Sequence, residues 1–115
     1  MSVKIYHNPR CSKSRQTLEL LKTNGVEPEI IQYLETPPTA EELDSVLTLL
    51  NMEPRDLMRK KEVEYKGAGL DNPELDRAAL IAGMVANPRV IERPVVLANG
   101  KAAVGRPPES VLAII

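Results

Sequence analysis

The stretch VKIYHNPRCSKSRQTLELLKTNG, Val3 to Gly25, changes its period partway through. Val3, Ile5 and Tyr6 form a short β-prone run that Asn8 and Pro9 stop, the pattern of a first strand ending in a turn. From Ser12 onward Leu18, Leu20 and Leu21 sit among Ser, Arg, Gln, Glu and Lys. This predicts a helix closing near Asn24-Gly25, where glycine tolerates the left-handed conformation. A strand thus passes through a short turn into a helix, and Cys11 falls at or next to the helix N-cap.

Downstream, Ile30, Ile31, Tyr33 and Leu34 predict a second strand, ended by Pro37-Pro38. Thr39-Ala-Glu-Glu42 has the spacing of a capping box, and Leu43, Val46, Leu47 and Leu50 continue it at helical spacing. Pro54 to Arg59 reads as another short helix. Asn72-Pro73-Glu74 reads as the start of a further one, carrying Leu75, Ala79, Leu80 and Met84. Val95 to Ala98 and Ala102 to Val104 flank Asn99-Gly100, a pair suited to the positive φ at both central positions of a type I′ hairpin turn. A closing helix is expected from Pro108 to Ile114. The order βαβ, helices, ββα fits an α/β, thioredoxin-like mixed sheet whose βαβ and ββα halves are separated by a helical insertion. One domain over 1–115 is expected, with the insertion over about 39–87.

With 115 residues, 43% hydrophobic and 27% charged, the chain has material for one core. Its net charge of −1 offers no general attraction to nucleic acid or membrane. No apolar run approaches the ~20 residues of a membrane span, and MSVKIYHNPR lacks the order of a signal peptide. A cytoplasmic, reducing setting is expected, with neither nucleic acid nor membrane as partner. A lone cysteine excludes an intrachain disulfide, and one Cys with one His excludes the usual thiolate-rich zinc sites. Without Phe or Trp, the core must be largely aliphatic.

A cysteine at a helix start meets unpaired amides and the positive end of the helix dipole, both of which favour thiolate over thiol. Arg10, Lys13 and Arg15 add local positive charge, so the Cys11 pKa is expected to fall. The same amides bind oxyanions, which would hold a phosphate-like ligand against the sulfur. Read alone, a single cysteine is as readily an inert small hydrophobe. His7, four residues earlier, suits either a role at the thiol or a turn residue bonded to backbone. Ser14 stands where a CxxC dithiol would carry its second sulfur, so any catalytic disulfide must involve another molecule. Thr17 breaks the C-x5-R pattern of a phosphatase loop. Arg59, Arg93 and Arg106 occur in DLMRKK, IERPVV and GRPPE. The last two each precede a proline at the entry to an element, and Arg93-Pro94 is a candidate cis peptide.

The motifs YHNPRCSKSRQTLELL, YLETPPT, LMRKKE, ERPVV and GRPPES, in that order, span nearly the whole chain. Through them the sequence resembles the glutaredoxin-coupled arsenate reductases, an ArsC/Spx-like family of thioredoxin fold. The resemblance implies a catalytic thiol at Cys11, with His7 as its modulator. It also implies an oxyanion site made by Arg59, Arg93 and Arg106, and a structural cis proline at Pro94. The implied function is arsenate reduction for arsenic detoxification, with arsenate or another small oxyanion as substrate, glutathione as co-substrate and glutaredoxin as partner. No metal and no bound cofactor is expected. The same scaffold also includes Spx-type regulators that bind RNA polymerase, and relatives for which a glutathione-dependent thiol reductase of unknown substrate is the other reading.

Overall fold

In the computed structural model, which describes residues 2–115, strand β1 (Val3–Tyr6) buries Val3 and Ile5 on one face and exposes Lys4 between them. The chain forms two units, one from the segments up to Thr36 and from Arg93 to Ile115, the other from Pro37 to Glu92.

In the first unit, helix α1 (Ser12–Thr23) crosses from β1 to the parallel strand β2 (Glu29–Ile31). Strands β3 (Val95–Ala98) and β4 (Lys101–Val104) form an antiparallel hairpin, and β3 pairs antiparallel with β1. The sheet order β2-β1-β3-β4 is the thioredoxin-like mixed sheet, and its βαβ and ββα halves are separated by helical sequence. Its core joins Val3, Ile5, Leu21, Val96, Ala98, Val111 and Ile114 into one aliphatic cluster. The hairpin turn has φ of 55° at Asn99 and 71° at Gly100, as the type I′ expectation requires. The Asn99 amide also donates to the Ile114 carbonyl at 2.8 Å, tying the turn to the last residues.

Two expectations for this unit need correction. Tyr33 and Leu34 are not strand: the Gln32 carbonyl accepts from both Glu35 and Thr36 amides at 2.9 Å, closing a turn directly after β2. The closing helix, Pro108–Ala113, is a 3-10 helix, and it packs against α1.

The second unit is helical. Helix α2 (Ala40–Leu50) begins at the expected capping box: Thr39 Oγ1 accepts from the Glu42 amide at 3.1 Å, and Glu42 Oε1 accepts from the Thr39 amide at 2.9 Å. Helix α2 packs on α4 (Arg77–Ala86), burying Leu43, Val46, Leu47, Leu80, Ile81 and Met84. Helix α4 begins later than Asn72-Pro73 suggests. Asn72 Oδ1 accepts from the Glu74 amide two residues on, a local turn, and Asp76 supplies the cap by accepting from Ala79 at 2.8 Å. The helix expected from Pro54 to Arg59 is a 3-10 turn over Pro54–Leu57. It stops because Met58 bridges Ile91: the Arg59 amide donates to Val90 at 2.6 Å and the Glu92 amide to Leu57 at 2.7 Å. A five-residue helix α3 (Val63–Gly67) and a 3-10 turn at Pro88–Val90 complete the unit; neither has a periodic signal in the sequence. Among the described residues no helix is long and apolar enough to cross a membrane.

Leu21 is fully buried in the first unit's cluster, whereas Val63 is 77% exposed. Leu21→Ala is expected to destabilise the protein by ~2–5 kcal/mol and Val63→Ala by no more than ~0.5 kcal/mol, read as urea midpoints at constant slope.

Candidate active site at Cys11

Strand register assembles the site. Tyr6 pairs with Val95, and Val95 pairs with Val104, so the end of β1, the start of β3 and the end of β4 share one edge of the sheet. The segments running off that edge are His7 to Cys11, Arg93-Pro94 and Gly105-Arg106. Both X-Pro bonds here, Arg93-Pro94 and Arg106-Pro107, are cis; the first was expected, the second was not.

Cys11 is the N-cap of α1, with φ −95° and ψ 123°, and is 8% exposed. The turn before it is built by Asn8, whose carbonyl accepts from the Cys11 amide at 3.0 Å and whose Oδ1 accepts from the Arg10 amide at 3.0 Å. Burial alone pushes the thiol pKa up. The Ser14 amide, the Arg93 guanidinium, the Lys13 amide and the Arg106 guanidinium together outweigh burial and hold it below its ordinary value. The direction agrees with the sequence-based expectation, but the source differs. The charges come from Arg93 and Arg106, while Lys13 acts through its backbone. Arg15 instead donates from Nη1 to the Pro9 carbonyl at 2.9 Å, on the exposed side of the turn.

Arg106 joins the parts. Its Nε donates to the Arg93 carbonyl at 2.8 Å, and its Nη2 stands 3.6 Å from Cys11 Sγ. Gly105 makes this approach possible, a role that sequence reasoning missed. A Cβ there would lie 2.5 Å from Thr17 Oγ1 and 2.7 Å from Pro94 Cγ, so no larger residue fits while its amide donates to the Pro94 carbonyl at 2.9 Å. The glycine directly before arginine in GRPPE is the only sequence signal for it. Arg93 has its Nε and Nη1 shielded from solvent.

His7 is buried, and its Nδ1 lies 2.6 Å from Ser14 Oγ, which also accepts from the Asn8 amide at 3.0 Å. Its pKa is lowered, first by burial and then by Lys22 and Arg15, so the ring is neutral at pH 7. Ser14, noted in the sequence only as a missing sulfur, is the polar link between the end of β1 and the first turn of α1. Arg59 belongs to the second unit, where its Nη1 lies 2.6 Å from Glu62 Oε1 and its Nε 3.9 Å from Glu92 Oε1.

The geometry combines an activated thiol, helix amides and two guanidiniums at one sheet edge, a setting suited to nucleophilic attack on an oxyanion. The chain is similar to known proteins over nearly its whole length. The ArsC family profile matches residues 6–114. The uncharacterized protein YfgD of Escherichia coli (strain K12) is 60% identical over 98% of this chain and 96% of its own length. The arsenate reductase of Neisseria meningitidis serogroup B (strain MC58) is 50% identical over 98% of this chain and 97% of its own. The solved arsenate reductase structure from Vibrio cholerae is 52% identical and superposes with a TM-score of 0.96, covering 100% of this chain and 98% of that one.

Because its folded-state pKa is depressed, Cys11 is expected to stay thiolate as pH falls below the free-thiol value of ~8.5, and to protonate only at a lower pH. Thiolate absorbance against pH checks this. Arg106→Leu is expected to raise the midpoint, while Arg15→Leu leaves it in place.

Proposed function

This chain belongs to the ArsC family, and on that premise we propose that it is an arsenate reductase that works through the Cys11 thiolate. The observation that carries the reading is the approach of Arg106 Nη2 to within 3.6 Å of the Cys11 sulfur, beside the Ser14 and Lys13 amides. A tetrahedral oxyanion seated on these donors presents its central atom to the nucleophile.

Cys11 thiolate attacks arsenic(V), an arsenate oxygen leaves as water or hydroxide, and a sulfur–arsenic bond forms. Arg93 and Arg106, with Arg59 as the third arginine that the family resemblance assigns, neutralise the oxyanion. Glutathione adds its sulfur to the same arsenic and displaces a second oxygen. The glutaredoxin thiolate then takes the glutathione sulfur as a mixed disulfide; the electron pair of the broken S–As bond stays on arsenic, which becomes arsenic(III). Hydrolysis of the remaining bond frees arsenite and returns Cys11 to the thiolate. External thiols are required because Ser14 is a hydroxyl bonded to His7 rather than a resolving sulfur. Glutathione and glutaredoxin in turn imply a cytoplasmic setting.

A glutathione-dependent thiol reductase is the second reading. It is favoured by the 60% identity to a protein with no named substrate, which exceeds the 50% identity to the N. meningitidis arsenate reductase.

Arsenite release, measured with arsenate, glutathione and glutaredoxin present, is expected for the wild type and lost in Cys11→Ser. Background rates in both would sink the arsenate reading, and turnover of a glutathione mixed disulfide without arsenate would favour the second. Arg106→Glu is expected to cost ~10²-fold or more in kcat/KM, and Arg15→Glu far less. Equal losses would remove Arg106 from the oxyanion site.

A further inference from the structure

The two segments that bring cations to the Cys11 edge of the first unit hold no acidic side chains. No Asp or Glu lies between residue 2 and Leu18, and none between Arg93 and Pro108. Arg93 and Arg106 are the cations whose charge acts on the sulfur. Arg15 is held by the Pro9 carbonyl and has Glu19 one turn further along α1. Two cations are left over. Arg10 directly precedes Cys11, and Lys13 follows it by two residues; both are exposed, whereas Cys11 is buried. Among the described residues neither side chain is in an ion pair. Glu35, in the turn after β2, is the acid that leaves the sheet at this edge, and it is paired with neither. On the helix, the residues three and four beyond Lys13 are Gln16 and Thr17, so no carboxylate meets it there. Lys13 also stands in the first turn of α1, where a cation opposes the helix dipole.

We propose that Arg10 and Lys13 are specificity-determining residues that bind the carboxylates of the small anionic thiol which reacts at Cys11. The inference rests on the reading of Cys11 as the nucleophile and of glutathione as its thiol partner. Glutathione carries a carboxylate at each end and its sulfur between them. Because Cys11 is buried, the thiol side chain alone reaches it, and the two ends of the tripeptide stay at the surface, where the two cations are. A guanidinium and an ammonium on either side of the reacting residue match a carboxylate on either side of the reacting thiol. Arsenate, seated further in against Arg106 and the helix amides, needs neither.

Reaction of Cys11 with two disulfides tests this without arsenate: glutathione disulfide, which carries the carboxylates, and bis(2-hydroxyethyl) disulfide, which is uncharged. In both, the thiolate attacks one sulfur, a new S–S bond forms to Cys11, and the other half leaves as a thiolate. Mass spectrometry follows the mixed disulfide, and the ratio of the two rate constants cancels any change in the thiolate fraction of Cys11. Arg10→Gln combined with Lys13→Gln is expected to lower the ratio about three- to tenfold, the scale of two exposed charge contacts. High salt should lower the wild-type ratio toward that of the variant. Lys101→Gln, at the opposite end of the hairpin, is expected to leave it unchanged. With arsenate as substrate, the double variant should raise KM for glutathione by a similar factor and leave KM for arsenate in place. An unchanged ratio in the double variant would overturn the proposal while Cys11 stands as nucleophile, and so would an equal drop in Lys101→Gln, which would mean net charge alone. If only the glutaredoxin step slows, the cations serve an acidic protein surface and the proposal is wrong. Reaction of Cys11 with neither disulfide would remove the nucleophile and the proposal together.

Discussion

The pairing of Tyr6 with Val95 at the centre of the sheet is the constraint on which the site depends. It sets the end of β1 beside the start of β3, and the hairpin register then brings the end of β4 to the same edge. A one-residue slip would turn Val3 and Ile5 out of the aliphatic cluster and move Arg93 relative to Cys11 at once. Core packing and the geometry around Cys11 are therefore fixed by the same hydrogen-bond ladder. The glycine after β4 completes the arrangement, since it lets the chain lie against Pro94 and Thr17 and so aims Arg106 at the sulfur.

The chemistry follows from how opposing effects sum at the thiol. Burial alone would make Cys11 a poor nucleophile. Two amides at the start of α1 and two guanidiniums reverse that and hold the thiol pKa below its ordinary value. Arg106 is directed by a backbone carbonyl through Nε, which leaves the Nη2 end of its fork facing the sulfur. His7, its pKa lowered by burial, touches Ser14 in the first turn of the helix whose amides face the thiol.

Features governed by a few neighbouring residues were legible in the sequence. The period change around Cys11, the Thr39 capping box and the Asn99-Gly100 turn all obey local backbone rules, and each occurs as expected. Tyr33 misled because aromatic and aliphatic composition reports burial rather than strand pairing; Tyr33 is 1% exposed yet lies in a turn. Asn72 and Asp76 compete for one helix start, and the outcome depends on which amide each oxygen reaches. At the site, Cys11 was legible from its position and Arg93 and Arg106 from the proline that follows each, whereas their grouping as an oxyanion site came from the family resemblance. The Arg106 to Arg93 bond, the His7 to Ser14 bond and the crowding at Gly105 depend on tertiary placement, which spacing along the chain does not encode.

The atoms that meet at the sulfur come from opposite ends of the sequence: Cys11 and Arg106 stand 95 positions apart. During synthesis the cysteine emerges from the ribosome long before either Arg93 or Arg106 exists. Until β3 and β4 have been made and have paired onto β1, neither Arg93 nor Arg106 stands at the thiol, and only the groups close to Cys11 in sequence act on it. The part of the thiol's pKa lowering that comes from these two guanidiniums is thereby tied to completion of the sheet.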